Sequence, residues 1–389
     1  MQHPSTLDAS TLARLRQLAA RFATRAPAHD RSGDIATENL AELHQAGLLG
    51  LSVPVGHGGR GAPLRDLVTV VATLAGGDPS TALIVAMQYL QHAAIAAAAT
   101  WPEDLRRRVG ESAVREGALL NALRVEPDLG TPSRGGRPAT RLRREAGRWR
   151  LDGTKIYSTG STALRWGLAW VSTDEDPFRT GQVLVDMRAP GIRIEPTWHQ
   201  MGMRATGSNT VIFDNVTVPD DAIVDLRPPD AWKDGDSFTA RWHAILVAAL
   251  YDAVARSGRD WLVSFLHERV PSALGRPLAT LPRFEMLLGE IDSLLMSNAA
   301  VLSHALSREE GGTLDLADAN LAKYVMTENA IRATERAIAA IGNPGLSQDN
   351  PLERHYRDVL CGRIHTPQSD TALMLSGRKA LNERLKTGA

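Results

Sequence analysis

The sequence predicts an α+β chain in three consecutive parts: a helical domain over residues 1–117, a β domain over 118–230 closed as a small barrel or sandwich, and a helical bundle over 231–389. Three observations predict it. Apolar residues recur at helical spacing before residue 117 and again from Phe238 onward. Between Ala118 and Val224 they alternate or form short runs, parted by Asp152-Gly153, Thr180-Gly181 and Pro190-Gly191. A length of 389 residues is also enough for two or three subdomains around a substantial core.

Composition narrows the function classes. Lysine plus arginine equals aspartate plus glutamate at 44 each, so no polyelectrolyte partner is implied and nucleic acid is not expected. The runs Arg106-Arg107-Arg108 and Arg141 to Arg150 read as solvated faces balanced by acids elsewhere. A single cysteine, Cys361, excludes an internal disulfide framework and a cysteine-based zinc site. The eleven histidines lack ligand spacing, so no metal is expected. No secretory pattern begins the chain. No apolar run approaches the ~20 residues of a membrane span, the longest, Thr81 to Ala99, being interrupted by Gln88, Gln91 and His92. The expectation is a cytoplasmic protein with no membrane partner.

Taken in order, Leu7 to Ala26 puts Leu12, Leu15, Leu18 and Phe22 on one face of an amphipathic helix. A second helix, about Ile35 to Gln45, is expected to stop at Gly47. Gly56-His57-Gly58-Gly59-Arg60-Gly61 literally matches the dinucleotide fingerprint, with Asp78 about twenty residues on. That fingerprint requires a second parallel strand ending at the acid. Asp78-Pro79-Ser80-Thr81-Ala82 instead reads as a capped helix start, so the glycines are read as a turn between helices. On the alanine-rich helix that follows, Gln88 and His92 lie one turn apart. They either face a substrate cavity or bond each other in a helix interface. Glu103 to Glu116 gives one more helix, up to Gly117.

Six strands are expected next, in ALLNALRV, WRLDGTKIYSTG, LRWGLAWVST, GQVLVDM, GIRIEPTW and TVIFDNVTV. The second helical part is broken at Pro271 to Pro282 and at Gly311-Gly312. Near its end, PLERHYRDVLCGRIHTPQSD begins as a helix that Pro367 terminates. Ile364, His365 and Thr366 are left at the tip, where side chains can project into a cavity. A last helix, Asp370 to Leu385, starts at a capping aspartate.

Three segments together carry a family resemblance: Trp149 to Gly160, Met201 to Pro219, and Ala340 to Asp358 with its Gly342–Gly345 turn and ERHYRD. Over nearly the whole length the chain resembles the acyl-CoA dehydrogenase superfamily. The resemblance implies the helix–β–helix architecture ending in a four-helix bundle, a bound FAD (with FMN open), and a homotetramer arranged as a dimer of dimers. It sets Tyr157, Ser158 and Thr159 beside the flavin, with Asn121 near the second flavin-contacting strand. Arg269 matches an arginine that reaches a neighbouring subunit's flavin pyrophosphate, a role suited to a guanidinium fork. Gly342 and Gly345 match a turn that approaches the same flavin. The family's Lys-Thr-Phe-Gly after that arginine is here Val270-Pro271-Ser272-Ala273, which leaves the adenine end open.

The catalytic acid departs too. Where relatives carry Tyr-Glu-Gly-Thr, this chain has His365-Thr366-Pro367-Gln368. Thr366, left to line the substrate pocket, cannot remove an α-proton, a step that usually uses a carboxylate in a dry slot. A minority of relatives place their glutamate on the first helix after the β domain, a slot that falls on His243. The histidine at position 365 resembles the flavin monooxygenases of this fold, such as dibenzothiophene sulfur oxidases and amino-sugar nitrososynthases. These take reduced flavin from a separate reductase and need a dry pocket and a donor, not a base. Three readings result. One is an oxygen-activating monooxygenase of a small molecule using His365. Another is an acyl-thioester dehydrogenase with His243 or His365 as base. The last is a flavin- or thioester-binding protein without turnover.

Overall fold

The computed structural model describes residues 5–129, 136–232 and 237–387. Five helices come first: α1 (Ala9–Ser32), α2 (Thr37–Gln45), α3 (Leu64–Ala75), α4 (Pro79–Ala97) and α5 (Glu103–Glu116). Asp8 caps α1 through the Thr11 amide at 2.7 Å. The helix runs past the expected stop at Ala26 and through Pro27 to Ser32. Its last turn is held from outside, because the Asp30 carboxylate accepts from Arg204 and Arg357. The glycine-rich stretch is a turn: Gly61 donates to the Val53 carbonyl at 2.8 Å, and a Cβ on Gly59 would stand 2.1 Å from that same oxygen. Asp78 caps α4 through the Ser80 amide, so the fingerprint match carries no nucleotide fold.

Eight strands follow, β1 (Leu119–Leu123), β2 (Arg141–Glu145), β3 (Arg148–Ser158), β4 (Leu164–Thr173), β5 (Thr180–Asp186), β6 (Ile192–Glu195), β7 (Asn209–Val218) and β8 (Ile223–Arg227). They form one sheet in the order β6-β7-β3-β2-β4-β5-β8, with β1 pairing parallel to β4. The two strands beyond the expected six are β2 and β8. β2 is nearly all charge and shows no apolar alternation; its arginines bond Asp152, Glu145 and Asp220, the solvated ion-paired face expected of that run. Inside the sheet, the fully buried Lys155 donates to Glu126 at 2.7 Å and to the Trp170 carbonyl at 2.5 Å. Glu126 also accepts the Ala139 and Thr140 amides, so the pair is satisfied on both sides and fastens the return of the chain to β3.

The rest is helical: α6 (Ser237–Glu268), α7 (Pro282–Glu310), α8 (Leu316–Ile341), the short α9 (Asn343–Leu346), α10 (Pro351–Ile364) and α11 (Ser369–Thr387). Helix α6 is the axis of the molecule. Ala244 to Ala255 are buried without a break, and they join α3, α4, α8 and α10 to one core that continues into the sheet. A second apolar cluster, with Leu262, Phe284, Ile291 and Ala333, closes the far end of the bundle. Helix α7 is long and apolar enough to cross a membrane by length and composition, contrary to the expectation that no stretch approaches that limit. Its most apolar window is only 17 % buried, and Met286 and Met296 are exposed.

Candidate active site

The two histidines singled out in the sequence meet where α10 ends against α6. Helix α10 stops at Ile364, and His365 forms its C-cap, its amide bonded to the Cys361 carbonyl. The imidazole turns inward: Nδ1 lies 2.8 Å from the hydroxyl of Tyr251 on α6. Tyr251 is fully buried, and burial holds its phenol protonated well above the usual range. Among the described residues that hydroxyl has no other partner. Its proton must therefore go to Nδ1, since a buried donor left unmade is costly. Nδ1 thus accepts, and the hydrogen of the neutral ring sits on Nε2.

His243, two turns before Tyr251 on α6, faces the same tip through the Thr366 backbone. Each ring keeps an accessible edge, yet both are packed densely enough to disfavour the imidazolium. Burial, then the Lys323 and Arg124 charges, lowers His243 to about 4, against an opposing backbone hydrogen bond with Thr366. Burial, then His243 and Lys323, lowers His365 to about 3. At neutral pH both rings are uncharged, so they can donate or accept but not deliver a proton as acids. Thr366 is exposed beside them.

Across the domain boundary, the residue that follows β1 is close enough to act on His243. Arg124, whose charge reaches both His243 and Lys155, marks how close the sheet and the helix tip lie. Asn121 is buried with both polar atoms committed, Nδ2 to the Thr159 carbonyl at 3.0 Å and Oδ1 to the Ala122 amide at 2.8 Å. It therefore positions Thr159. The Thr159 hydroxyl joins Ser208 at 3.0 Å, and Ser208 joins Thr206 at 2.8 Å, forming a short chain of hydroxyls. Ser158 Oγ is buried with no partner among the described residues, and Tyr157, at φ +55°, stands 58 % exposed with its ring edge against Trp198. Hydroxyl donors, an orphaned buried oxygen and an open aromatic pair fit a flavin ring, which needs donors at its polar edge and an apolar wall.

The remaining predicted residues lie elsewhere. Gln88 and His92 bond each other at 3.0 Å inside the α4–β1 interface. Gln88 also donates to the Ala118 carbonyl and accepts the Leu120 amide, which spends its amide on holding the start of β1. Arg269 is exposed at the end of α6, about 39 Å along the helix from His243 at ~1.5 Å per residue. Gly342, at φ +66°, is open to solvent, while Gly345 packs on the Ile338 backbone. A shallow crevice of 660 Å³ lined by Arg144, Trp149, Asp220 and Asp225 touches none of these groups.

Sequence reasoning missed Tyr251, Lys323, Arg124 and the Thr206–Ser208 hydroxyls. Only Tyr251 left a readable signal, since it follows His243 by about two helical turns on the same face of α6. Under the tip, Asp358 is fully buried, accepts the Met203 amide at 2.6 Å, and is pushed by burial up to about 7. A Cβ on Gly202 would stand 2.2 Å from the Arg357 carbonyl, so the turn before β7 rides directly on α10.

Comparison with known proteins agrees with this architecture. Profiles for the acyl-CoA dehydrogenase N-terminal, middle and C-terminal domains match residues 10–109, 124–216 and 245–369. The acyl-CoA dehydrogenase-like YdbM of Bacillus subtilis (strain 168) is 31 % identical over 372 residues, covering 92 % of this chain and 93 % of its own. The L-evernosamine nitrososynthase of a Micromonospora strain is 28 % identical over 384 residues, covering 92 % and 87 %. Among solved structures, the FMN-bound dibenzothiophene monooxygenase TdsC of Paenibacillus sp. A11-2 superposes with a TM-score of 0.85 at 21 % identity, covering 96 % and 98 %. With all three domain profiles in chain order and a relative above 30 % identity along nearly its full length, the chain belongs to the acyl-CoA dehydrogenase superfamily and is a flavoprotein oxidoreductase of that type.

Proposed function

We propose that the protein is an oxygen-activating flavin monooxygenase that hydroxylates or N- or S-oxidises a small molecule. Reduced flavin, supplied by a separate reductase, provides two electrons when bound. With two protons, one atom of dioxygen enters the substrate and the other leaves as water. The observation that supports this reading is the state of His365: an uncharged imidazole, fixed at Nδ1 by Tyr251, with Nε2–H left to donate. A donor held in place without charge stabilises developing negative charge at little reorganisation cost. The nitrososynthase likeness points the same way, and the FMN in the TdsC structure favours FMN over FAD.

The test is coupled turnover with an added reductase and candidate amines, thioethers or indoles. His365→Ala should lower coupled product by about 10²-fold and release hydrogen peroxide in its place. Unchanged coupling in that variant would dismiss the role given to His365.

A second reading, α,β-dehydrogenation of an acyl thioester, is favoured by the likeness to YdbM. Its difficulty is basicity. Imidazoles held near 3 to 4 are poor partners for a weak carbon acid. The nearby carboxylate of Glu309 is occupied by Trp242 and Arg241. Anaerobic bleaching of the flavin band by acyl-CoAs would select this reading over the first.

A further inference from the structure

Helix α8 sends one lysine into the base of the tip. Lys323 is 1 % exposed, and its ammonium donates to the carbonyls of Gly362 at 2.6 Å, His365 at 2.8 Å and Pro367 at 2.8 Å. These three bonds use every N–H the ammonium has. No carboxylate lies within ion-pair range of it among the described residues, and the nearby Glu328 is taken by Arg363 through two bonds. A buried lysine with no ion-pair partner is costly; the three carbonyl oxygens compensate it directly, and the Glu328 charge supports it from farther away. Only the Gly362 carbonyl is one that a terminating helix leaves unpaired; the other two lie beyond the helix, on His365 itself and on Pro367. An ordinary helix cap would stop at the first.

We propose that Lys323 is a positioning residue for the active-site imidazole: by gripping the backbone on both sides of residue 365 it fixes where the His365 ring points. The inference rests on the donor role given to His365 above. Two anchors then define the ring, the Tyr251 hydroxyl on the side chain and the Lys323 ammonium on the main chain. A secondary, electrostatic consequence follows from what faces each ring, where the lysine charge adds to burial. His365 meets Tyr251 and His243 from α6 and Lys323 from α8. His243 meets Lys323, the Thr366 backbone and Arg124 from β1. On α10 itself, Asp358 and Cys361 face Tyr251. Lysine is thus the cation common to both imidazoles. Burial lowers its own ammonium to about 8, so the charge is present at neutral pH.

The test uses the full-length protein with selectively labelled histidine, the His365 and His243 signals being assigned by loss in His365→Gln and His243→Gln. Two variants separate grip from charge. Lys323→Met removes both; Lys323→Gln keeps two N–H donors and loses the charge. In Lys323→Met both imidazoles should titrate at higher pH than in the parent, His365 should lose its single Nε2–H tautomer signature, and the buried His92 and His355 should not change. In Lys323→Gln the titrations should rise while the tautomer signature stays. In reductase-coupled assays, peroxide release should increase several-fold in the methionine variant and less in the glutamine variant. A parent-like His365 tautomer signature in folded Lys323→Met overturns the proposal, and so does failure of both variants to fold, which would make Lys323 a stability residue. Because the magnetic resonance readout needs no turnover, absence of coupled product in the parent would reject the monooxygenase reading without deciding the role of Lys323.

Discussion

At the scale of single residues, the site is a set of donors whose partners fix their direction. Tyr251 is the clearest case, since its one hydroxyl both leaves the core satisfied and sets which nitrogen of His365 carries hydrogen. Tyr251→Phe should cost about 1 kcal/mol of stability, the net worth of one buried hydrogen bond. It should also let His365 sample both tautomers. Chemical denaturation and the nitrogen shifts of labelled histidine check the two effects; a tautomer population equal to the parent's would remove Tyr251 from the orienting role. Position 365 was legible in the sequence because a proline after a helix announces a tip. Its partners were not, since Tyr251 and Lys323 are 114 and 42 residues away and only packing brings them near.

Among elements, the tip is held by a latch that no local pattern announced. Asp30 at the end of α1 accepts from Arg204, in the turn before β7, and from Arg357 on α10, while Arg357 also binds Glu353 twice. Helix α1, the β domain and α10 therefore share one carboxylate. Burial pushes Asp30 up, but the two guanidinium groups outweigh it and hold its carboxyl below the usual range. A lowered folded pKa contributes stability that is complete above the unfolded value near ~4 and is lost as pH falls through the folded one. Asp30→Asn should cost roughly 2 kcal/mol at pH 7, less than a fully buried pair because Arg204 is about a third exposed. The difference from the parent should shrink below about pH 4. Denaturant midpoints measured against pH check this, and a pH-independent difference would mean that the latch is not electrostatic. The arginine and aspartate of ERHYRD were visible as a motif. That one binds α1 and the other a β-domain amide was decided by the tertiary fold.

For the whole molecule, two features point outward. Helix α7 leaves Met286 and Met296 on the surface at 69 % and 71 % exposure, and Arg269 projects from the far end of α6. The family resemblance implies a homotetramer in which Arg269 of one subunit meets the flavin pyrophosphate of its neighbour, and we propose that arrangement for test. Arg269→Ala should weaken flavin binding by about 10-fold, the order of a lost charge-assisted hydrogen bond, while leaving the sedimentation coefficient unchanged. Equal flavin affinity in variant and parent, or a monomer that holds a full complement of flavin, would exclude the arrangement.

What the sequence by itself determined is the periodic part: which stretches are helices, where the β domain begins, the capped start of α4, and a histidine–threonine pair where relatives place an acid. Those are short-range properties, set by spacing, glycine, proline and capping chemistry. It did not determine strand β2, whose charges hide its alternation, or the burial of Gln88 and His92 against β1. Nor did it determine the company His365 keeps. A single buried lysine, a phenol and a second imidazole converge there from α6 and α8. Only the tertiary structure decides that, because desolvation and the direction of a hydrogen bond depend on atoms that are distant along the chain.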